Sequence, residues 1–337
     1  MKIADLRAVA IGDLYIPCEV MREAIALLST PHITTIEWRA ADEADLQARL
    51  LFIERHGVHA VEPPEEIWEH LAHAEFLMTH LCPVSRKMIE AAPRLKYLGV
   101  CRGGTDSIDH NAVEQRNIKL FNAPGRNANA VAEMTIALML AEARNIGRAH
   151  ASLVAGGWRK KFSNHGKPGE LRGKTIGLIG FGMIARKVAS FLNAFGASRI
   201  AYDPFVSREV IEAGGASKVE LRELLRQSDF ISLHARQTAV ERPLLGKAEF
   251  EAMKPTAYVI NTARAALIDE SALCEALARN RIAGAALDVF NQEPLPENSP
   301  LRALDNITLI PHLAGSTPEA WLCAPRMVVE TMIEQIG

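Results

Sequence analysis

The chain alternates short apolar runs with stretches in which apolar residues recur every three or four positions. Ile33–Glu37, Phe76–Thr79, Tyr97–Cys101 and Lys119–Phe121 have strand length, and Glu43–Arg55 puts Leu46, Leu50 and Ile53 on one helix face. Ser85–Ala92 and Asp106–Gln115 read as further helices. After Leu171 the rhythm resumes, with strands at Thr175–Ile179, Ile200–Tyr202, Phe230–His234, Tyr258–Asn261 and Ile282–Leu287. Helices are predicted at Ile184–Phe195, Val219–Gln227 and Glu270–Ala278, the last with Asp269 as N-cap. Such alternation predicts parallel sheets covered by helices. Between the two blocks, Asn129 to Leu153 predicts one long helix, apolar around most of its circumference. It must bury several sides, against its own domain or a second subunit. Asn122-Ala123-Pro124-Gly125 is the clearest break in the chain and marks a crossing between domains.

Composition narrows the class without choosing a function. The 337 residues suggest two domains, at roughly 150 residues each. Apolar residues make up 48% and charged residues 23%, ordinary globular usage. A net charge of −2 gives no electrostatic footprint for nucleic acid or an anionic membrane. Cys18, Cys82, Cys101, Cys274 and Cys323 are scattered and never spaced C-x-x-C, which argues against a disulfide framework or a zinc ribbon and for the cytoplasm. The opening MKIADLRAVAIGD lacks the apolar core of a signal peptide, and no run of 18 uncharged apolar residues predicts a membrane span. His70 and His73 beside Glu69 could share a helix face, but no third ligand completes a metal site, so they are read as a solvated face and no metal is expected.

The sharpest local motif is Gly180-Phe181-Gly182-Met183-Ile184-Ala185. It follows an apolar strand and opens a helix whose Ile184, Val188, Phe191, Leu192 and Phe195 form one stripe. Gly180 permits a tight turn, Gly182 lets backbone approach a pyrophosphate, and Ala185 allows close helix–strand packing. The helix N-terminus offers free N–H groups to phosphates. Asp203 ends the next strand, 21 positions after Gly182, where a carboxylate binds the ribose hydroxyls of NAD and repels the 2′-phosphate of NADP. The other reading is a plain strand–helix turn with Asp203 solvated.

Three later segments each place a polar group directly after an apolar run. Arg264 follows Val259–Ala263, Asp288 and Glu293 follow Ala285–Leu287, and His312 follows Leu309–Pro311. Oxidising a secondary alcohol with NAD needs a base for the hydroxyl proton, and histidine suits that task near neutral pH. Glu293 would orient the imidazole, and the Arg264 fork can bind a carboxylate bidentately. Singly, each residue also reads as an ordinary surface or loop side chain.

Together these segments resemble the D-isomer-specific, NAD-dependent 2-hydroxyacid dehydrogenase family, which includes phosphoglycerate dehydrogenases and glyoxylate/hydroxypyruvate reductases. The resemblance runs from about Tyr97 to Trp321 and rests on NAPGRNANAVAE (122–133), GKTIGLIGFGMIARKVA (173–189), NTARAALIDE (261–270), ALDVFNQEPLP (286–296) and PHLAGST (311–317). It implies two α/β, Rossmann-like domains with parallel sheets. A discontinuous flavodoxin-like substrate lobe would hold residues 1–125 and 315–337, and an NAD-binding Rossmann lobe residues 126–314. It implies Arg264, Glu293 and His312 as the catalytic set, with Arg264 on the substrate carboxylate and His312 as acid/base. Gly180, Gly182, Met183, Ile184, Asp203, His234, Thr262, Ala263, Arg264, Asp288, His312 and Gly315 would contact the cofactor. Asp288 matches the family's acid near the nicotinamide amide. Residues 122–133 match the start of a long dimer helix, so a homodimer is expected.

Two positions depart from the family. His234-Ala235-Arg236 replaces the usual H-x-P, so Arg236 could favour NADP, and Ala265 replaces a common glycine. Because the chain ends at Gly337, the regulatory domain appended to some phosphoglycerate dehydrogenases is expected to be absent. The loop Arg102-Gly103-Gly104 would face the substrate, and Arg102 would suit a sugar acid, a phosphorylated acid or a dicarboxylate, unless it points into solvent. The competing readings are an NAD(H)-sensing corepressor-like regulator and a formate or phosphite dehydrogenase of the same superfamily.

Overall fold

The computed structural model describes residues 5–164, 166–235 and 242–336, with Glu54 described by its backbone only. The chain divides into two compact units, Met1–Asn127 with Thr317–Gly337, and Ala128–Ser316.

In the first unit the strands are β1 (Ala8–Gly12), β2 (Ile33–Glu37), β3 (Phe76–Thr79), β4 (Tyr97–Val100) and β5 (Lys119–Asn122). They form one parallel sheet in the order β2-β1-β3-β4-β5. Because side chains alternate across a strand, Val9, Ile11 and Leu77 feed the core on one face, and Ala8, Ala10, Phe76 and Met78 the core on the other. The helix Ala324–Ile336 covers the second face with Val328, Val329 and Met332. Strand order reverses between β1 and β3, the flavodoxin-like switch point where ligands gather at the carboxyl ends of strands. β1 lacks any polar alternation, since all five of its residues are buried, so it carries no period-two signal in the sequence.

The second unit has β6 (Thr175–Ile179), β7 (Ser198–Tyr202), β8 (Ser217–Lys218), β9 (Phe230–Leu233), β10 (Tyr258–Asn261), β11 (Gly284–Leu287) and β12 (Ile307–Leu309). Their order is β12-β11-β10-β9-β6-β7-β8, again with every pairing parallel. This is the doubly wound arrangement with its switch point between β6 and β9.

The single long helix expected from Asn129 to Leu153 is two helices, Ala128–Arg144 and Ile146–Val154. Asn145 breaks them with φ +56°, a left-handed conformation that asparagine tolerates better than most residues. Side chains pin the break. Arg148 donates to Asn145 Oδ1 (2.6 Å) and to both carboxylate oxygens of the buried Glu142 (3.0 and 3.1 Å), while Asn145 Nδ2 donates to Asn164 Oδ1 (2.8 Å). Burial on several sides holds only for the first helix, because the second has no buried residue. Its Ile146, Leu153 and Val154 are exposed. His73 likewise lies past the end of its helix, Ile67–Leu71, instead of on its face.

Candidate active site

At the switch point of the Ala128–Ser316 unit, β6 runs into Gly180 at φ +87°. A Cβ there would stand 2.6 Å from Ala235 N and 2.7 Å from His234 C, so only glycine lets the turn after β9 lie so close. Gly182 caps the helix Met183–Ala194, and nothing lies within 4 Å of where its Cβ would be. That open cradle over a helix N-terminus fits a pyrophosphate. Below it Phe181, Ala185 and Val188 are buried, while Met183 is exposed and Ile184 half-buried. Asp203 accepts from Phe181 N at 2.8 Å and from Phe205 N at 2.9 Å. These bonds fix the carboxylate and leave it lone pairs for further donors. His234 shares a 2.9 Å hydrogen bond with Ser232 Oγ through Nε2, and desolvation pushes its pKa down, which keeps the ring neutral. Arg236, the possible NADP contact, lies outside the described residues.

Neighbouring strands β10, β11 and β12 carry the polar residues. Asn261 ends β10, accepting from Ala263 N (3.0 Å) and donating to Arg264 O (2.9 Å), which fixes the turn bearing Thr262, Ala263 and Arg264. Thr262 Oγ1 pairs with Thr135 Oγ1 at 3.0 Å. Arg264 is exposed, donates to Ala263 O, and has no carboxylate partner among the described residues.

Asp288, 2% exposed, accepts from Leu313 N (2.6 Å) and Ala314 N (3.1 Å), and its carbonyl accepts from His312 N (3.0 Å). Burial pushes its pKa up against the pull of these amides. Asp288 therefore holds the histidine loop in place, a role the sequence does not reveal. Glu293 accepts from Phe290 N at 3.0 Å through Oε1 and from His312 Nδ1 at 2.8 Å through Oε2. His312 sits at φ +50°, leaving Nε2 without a partner among the described residues. Gly315 lies in the next turn, closed by Ser316 N donating to Leu313 O.

In the other unit, Arg102 O accepts from Ala123 N (2.9 Å) and Gly103 O from Asn122 Nδ2 (2.7 Å), which ties the loop after β4 to the end of β5. Gly103 and Gly104 are exposed, and Arg102 is half-buried. Sequence reasoning missed a buried pair beside this loop, Asp13 after β1 and His80 after β3, joined at 3.0 Å. Nothing in the local sequence links two residues 67 positions apart. Only the β1–β3 register could have found them.

Residues 136–314, more than half of the chain, match the model of the D-isomer specific 2-hydroxyacid dehydrogenase, NAD binding domain. The chain is 43% identical over 269 residues to D-3-phosphoglycerate dehydrogenase of Methanocaldococcus jannaschii, covering 79% of this chain and 50% of that protein. It is 40% identical over 256 residues to the hydroxypyruvate reductase of Thermotoga maritima, covering 75% of this chain and 82% of that one. The crystallised 2-hydroxyacid dehydrogenase of Ketogulonicigenium vulgare superposes with a TM-score of 0.69 at 26% identity, covering 99% of this chain and 96% of that one. The chain belongs to the D-isomer specific 2-hydroxyacid dehydrogenase family, whose NAD-binding domain it carries. It spans about half the length of the D-3-phosphoglycerate dehydrogenases that it matches. Among the described residues no helix is long and apolar enough to cross a membrane.

Proposed function

We propose that the chain is an oxidoreductase that transfers a hydride between NAD(H) and a D-2-hydroxy acid/2-oxo acid pair, reducing the oxo acid when it is in excess. In this reading Ala128–Ser316 is the NAD-binding domain, and Met1–Asn127 with Thr317–Gly337 binds substrate. The observation that carries it is the 2.8 Å bond between His312 Nδ1 and Glu293 Oε2, on a sheet edge that also bears an arginine without a carboxylate partner among the described residues.

Bound NADH supplies the hydride that reaches C2 of the oxo acid. Arg264 takes the substrate carboxylate in its planar fork and polarises the neighbouring carbonyl. Protonated His312, held through Nδ1 by Glu293, gives its Nε2 proton to the carbonyl oxygen as that oxygen becomes a hydroxyl. The ring is left neutral and regains a proton from water. In the reverse direction the same nitrogen accepts the hydroxyl proton.

Gly180, Gly182, Met183 and Ile184 are assigned to the pyrophosphate, Asp203 to the ribose, and His234 to the adenosine side. Thr262, Ala263, Asp288 and Gly315 are assigned to the nicotinamide side, where Arg264 and His312 also face the cofactor. Arg102, Gly103 and Gly104 are assigned to the substrate. A homodimer is proposed because Leu153, Val154 and Trp158 are 54%, 74% and 76% exposed, an apolar surface that a second copy would cover. The five free cysteines support a reducing cytoplasm.

The test is NADH oxidation with glyoxylate, hydroxypyruvate, pyruvate, 2-oxogluconate and phosphohydroxypyruvate, with His312→Ala as control. Turnover lowered by about 10²–10⁴-fold in the variant supports the reading. Tight NADH binding without turnover of any oxo acid would mark a sensor, and oxidation of formate or phosphite a different dehydrogenase.

A further inference from the structure

The helix Ala128–Arg144 gives Ala132, Ile136 and Met139 to the apolar core of its unit. Thr135 is buried with them, 0% exposed, so its hydroxyl stands where an unpaired polar group is costly. Two bonds satisfy it. Thr135 Oγ1 donates to Val131 O, one turn back, at 2.7 Å, and lies 3.0 Å from Thr262 Oγ1 in the turn after β10. A hydroxyl carries a single proton. Only one arrangement makes both bonds: Thr135 gives its proton to Val131 O, and Thr262 gives its own to Thr135. Thr262, itself 7% exposed, is thereby tied through its side chain to a helix 127 positions away in sequence.

This tether bears on Arg264. β10 ends at Asn261, so Thr262 is the first residue past the strand, and its hydroxyl extends the strand's hold toward the arginine. Asn261 braces the turn from within, accepting from Ala263 N and donating to Arg264 O. Those bonds shape the turn without fixing where it stands against the helix. Arg264 donates to Ala263 O, its neighbour on the same turn, so that bond does not anchor the guanidinium to another element. The Thr262–Thr135 bond supplies the outside reference, two residues before the arginine.

We propose that Thr135 is a positioning residue: through the Thr262 hydroxyl it sets the placement of the turn that carries Arg264, and with it the approach of the guanidinium to the substrate carboxylate. The role of Arg264 rests on the dehydrogenase reading above, whereas the tether does not. A misplacement of about 1 Å caused far from the chemistry can cost about 10²-fold in rate, so a hydroxyl that never touches substrate can govern its binding.

The test begins with Thr135→Val, which keeps the shape of the side chain and removes the acceptor. For the best oxo acid, kcat/KM should fall by about 10- to 100-fold. KM for the acid should rise, with little change in NADH affinity by fluorescence titration. Thr135→Ser keeps the hydroxyl and should recover most of the loss. The double variant Thr135→Val, Thr262→Val strands no buried hydroxyl, so it serves if the single variant fails to fold, and it should keep the raised KM. Unchanged kcat/KM in Thr135→Val, a serine variant no better than the valine one, or a double variant with normal KM would each overturn the proposal. So would an NADH affinity that falls as far as kcat/KM does. Amide hydrogen exchange of the full chain separates the two readings. Exchange across residues 262–267 should quicken in Thr135→Val but not in Thr135→Ser, while β11 keeps its rate. That pattern in a protein that turns over no oxo acid keeps the tether and removes the dehydrogenase reading. Unmoved exchange in a protein that does turn over removes the tether alone.

Discussion

Glu293 Oε2 lies 2.8 Å from His312 Nδ1, and the histidine is delivered to it with a left-handed backbone, φ +50°. A non-glycine residue held there needs support, and the loop has it. Asp288 accepts the amides of Leu313 and Ala314 and receives the amide of His312 on its carbonyl. Backbone strain of this kind persists only where neighbours over-determine it, commonly at functional sites. His312→Ala should lower kcat by about 10²–10⁴-fold, the usual worth of a positioned acid/base, with little change in NADH affinity. Steady-state rates with the best oxo acid, beside a fluorescence titration of NADH, check both parts. A near-normal rate would remove His312 from the chemistry.

Arg264 presents its guanidinium with no carboxylate in reach among the described residues. Arg264→Lys keeps the charge and loses the fork. KM for the oxo acid should rise and kcat fall together, because in the proposed role the same contact would hold the acid before and during hydride transfer. Unchanged KM across every acid tested would place Arg264 outside the site.

Glu142 and Arg148 staple the break between the two helices, and the carboxylate also accepts from Thr308 Oγ1 at 2.7 Å on β12. Its side chain is fully buried. Burial pushes its pKa up despite the arginine. Removing the cation strands a buried acid, which typically costs about 3–5 kcal/mol. Arg148→Met should therefore lower stability by an amount in that range, read by urea unfolding, while Glu142→Gln with Arg148→Met should recover part of it. Equal losses in the single and double variants would show that the pair is not coupled.

Much of this was legible in the sequence, for identifiable reasons. The strand–helix rhythm located β2, β3 and β10 residue for residue, and Asp269 caps its helix by accepting from Ala272 N as the pattern implied. The glycine turn and the polar residues after β10, β11 and β12 were visible because each is a short local word. The break at Asn145 was not, because the apolar pattern continues through it and the cause lies in Arg148 and Asn164. Asp288's grip on the histidine loop and the Asp13–His80 pair were invisible for a related reason. They depend on which strands are neighbours, which periodicity does not state.

His80 gives a pH dependence whose sign follows from burial. Desolvation holds its folded pKa below the ordinary histidine value of about 6.5, outweighing the pull of Asp13. Below that pH the unfolded chain binds a proton that the folded ring refuses, so this group's contribution to stability is intact above about 6.5 and falls as the solution is acidified toward the folded pKa. Denaturation midpoints at pH 7.5, 6.0 and 5.0 should drop more steeply for the wild type than for His80→Asn. Parallel slopes would mean that the ring protonates freely in the folded state.

Cofactor choice turns on Asp203 against Arg236. The carboxylate is held by the amides of Phe181 and Phe205, so it cannot swing away from an incoming 2′-phosphate without breaking the glycine turn's own bond. Pro204 and Phe205 supply no cation there. A charge acting through solvent is weakened by salt over a screening length of about 8–10 Å, whereas a carboxylate in direct hydrogen-bonding contact with the ribose, the role proposed for Asp203, is not. NADH should therefore be preferred over NADPH by at least about tenfold in kcat/KM, or about 1.4 kcal/mol. Asp203→Ala removes the anchor on Phe181 N and, in the proposed assignment, the ribose acceptor, so rates with both cofactors should fall. The NADH rate should fall further, and the ratio should narrow. Equal kcat/KM values in the wild type would overturn the assignment, and a variant that loses both cofactors in equal proportion would show that Asp203 serves the turn alone.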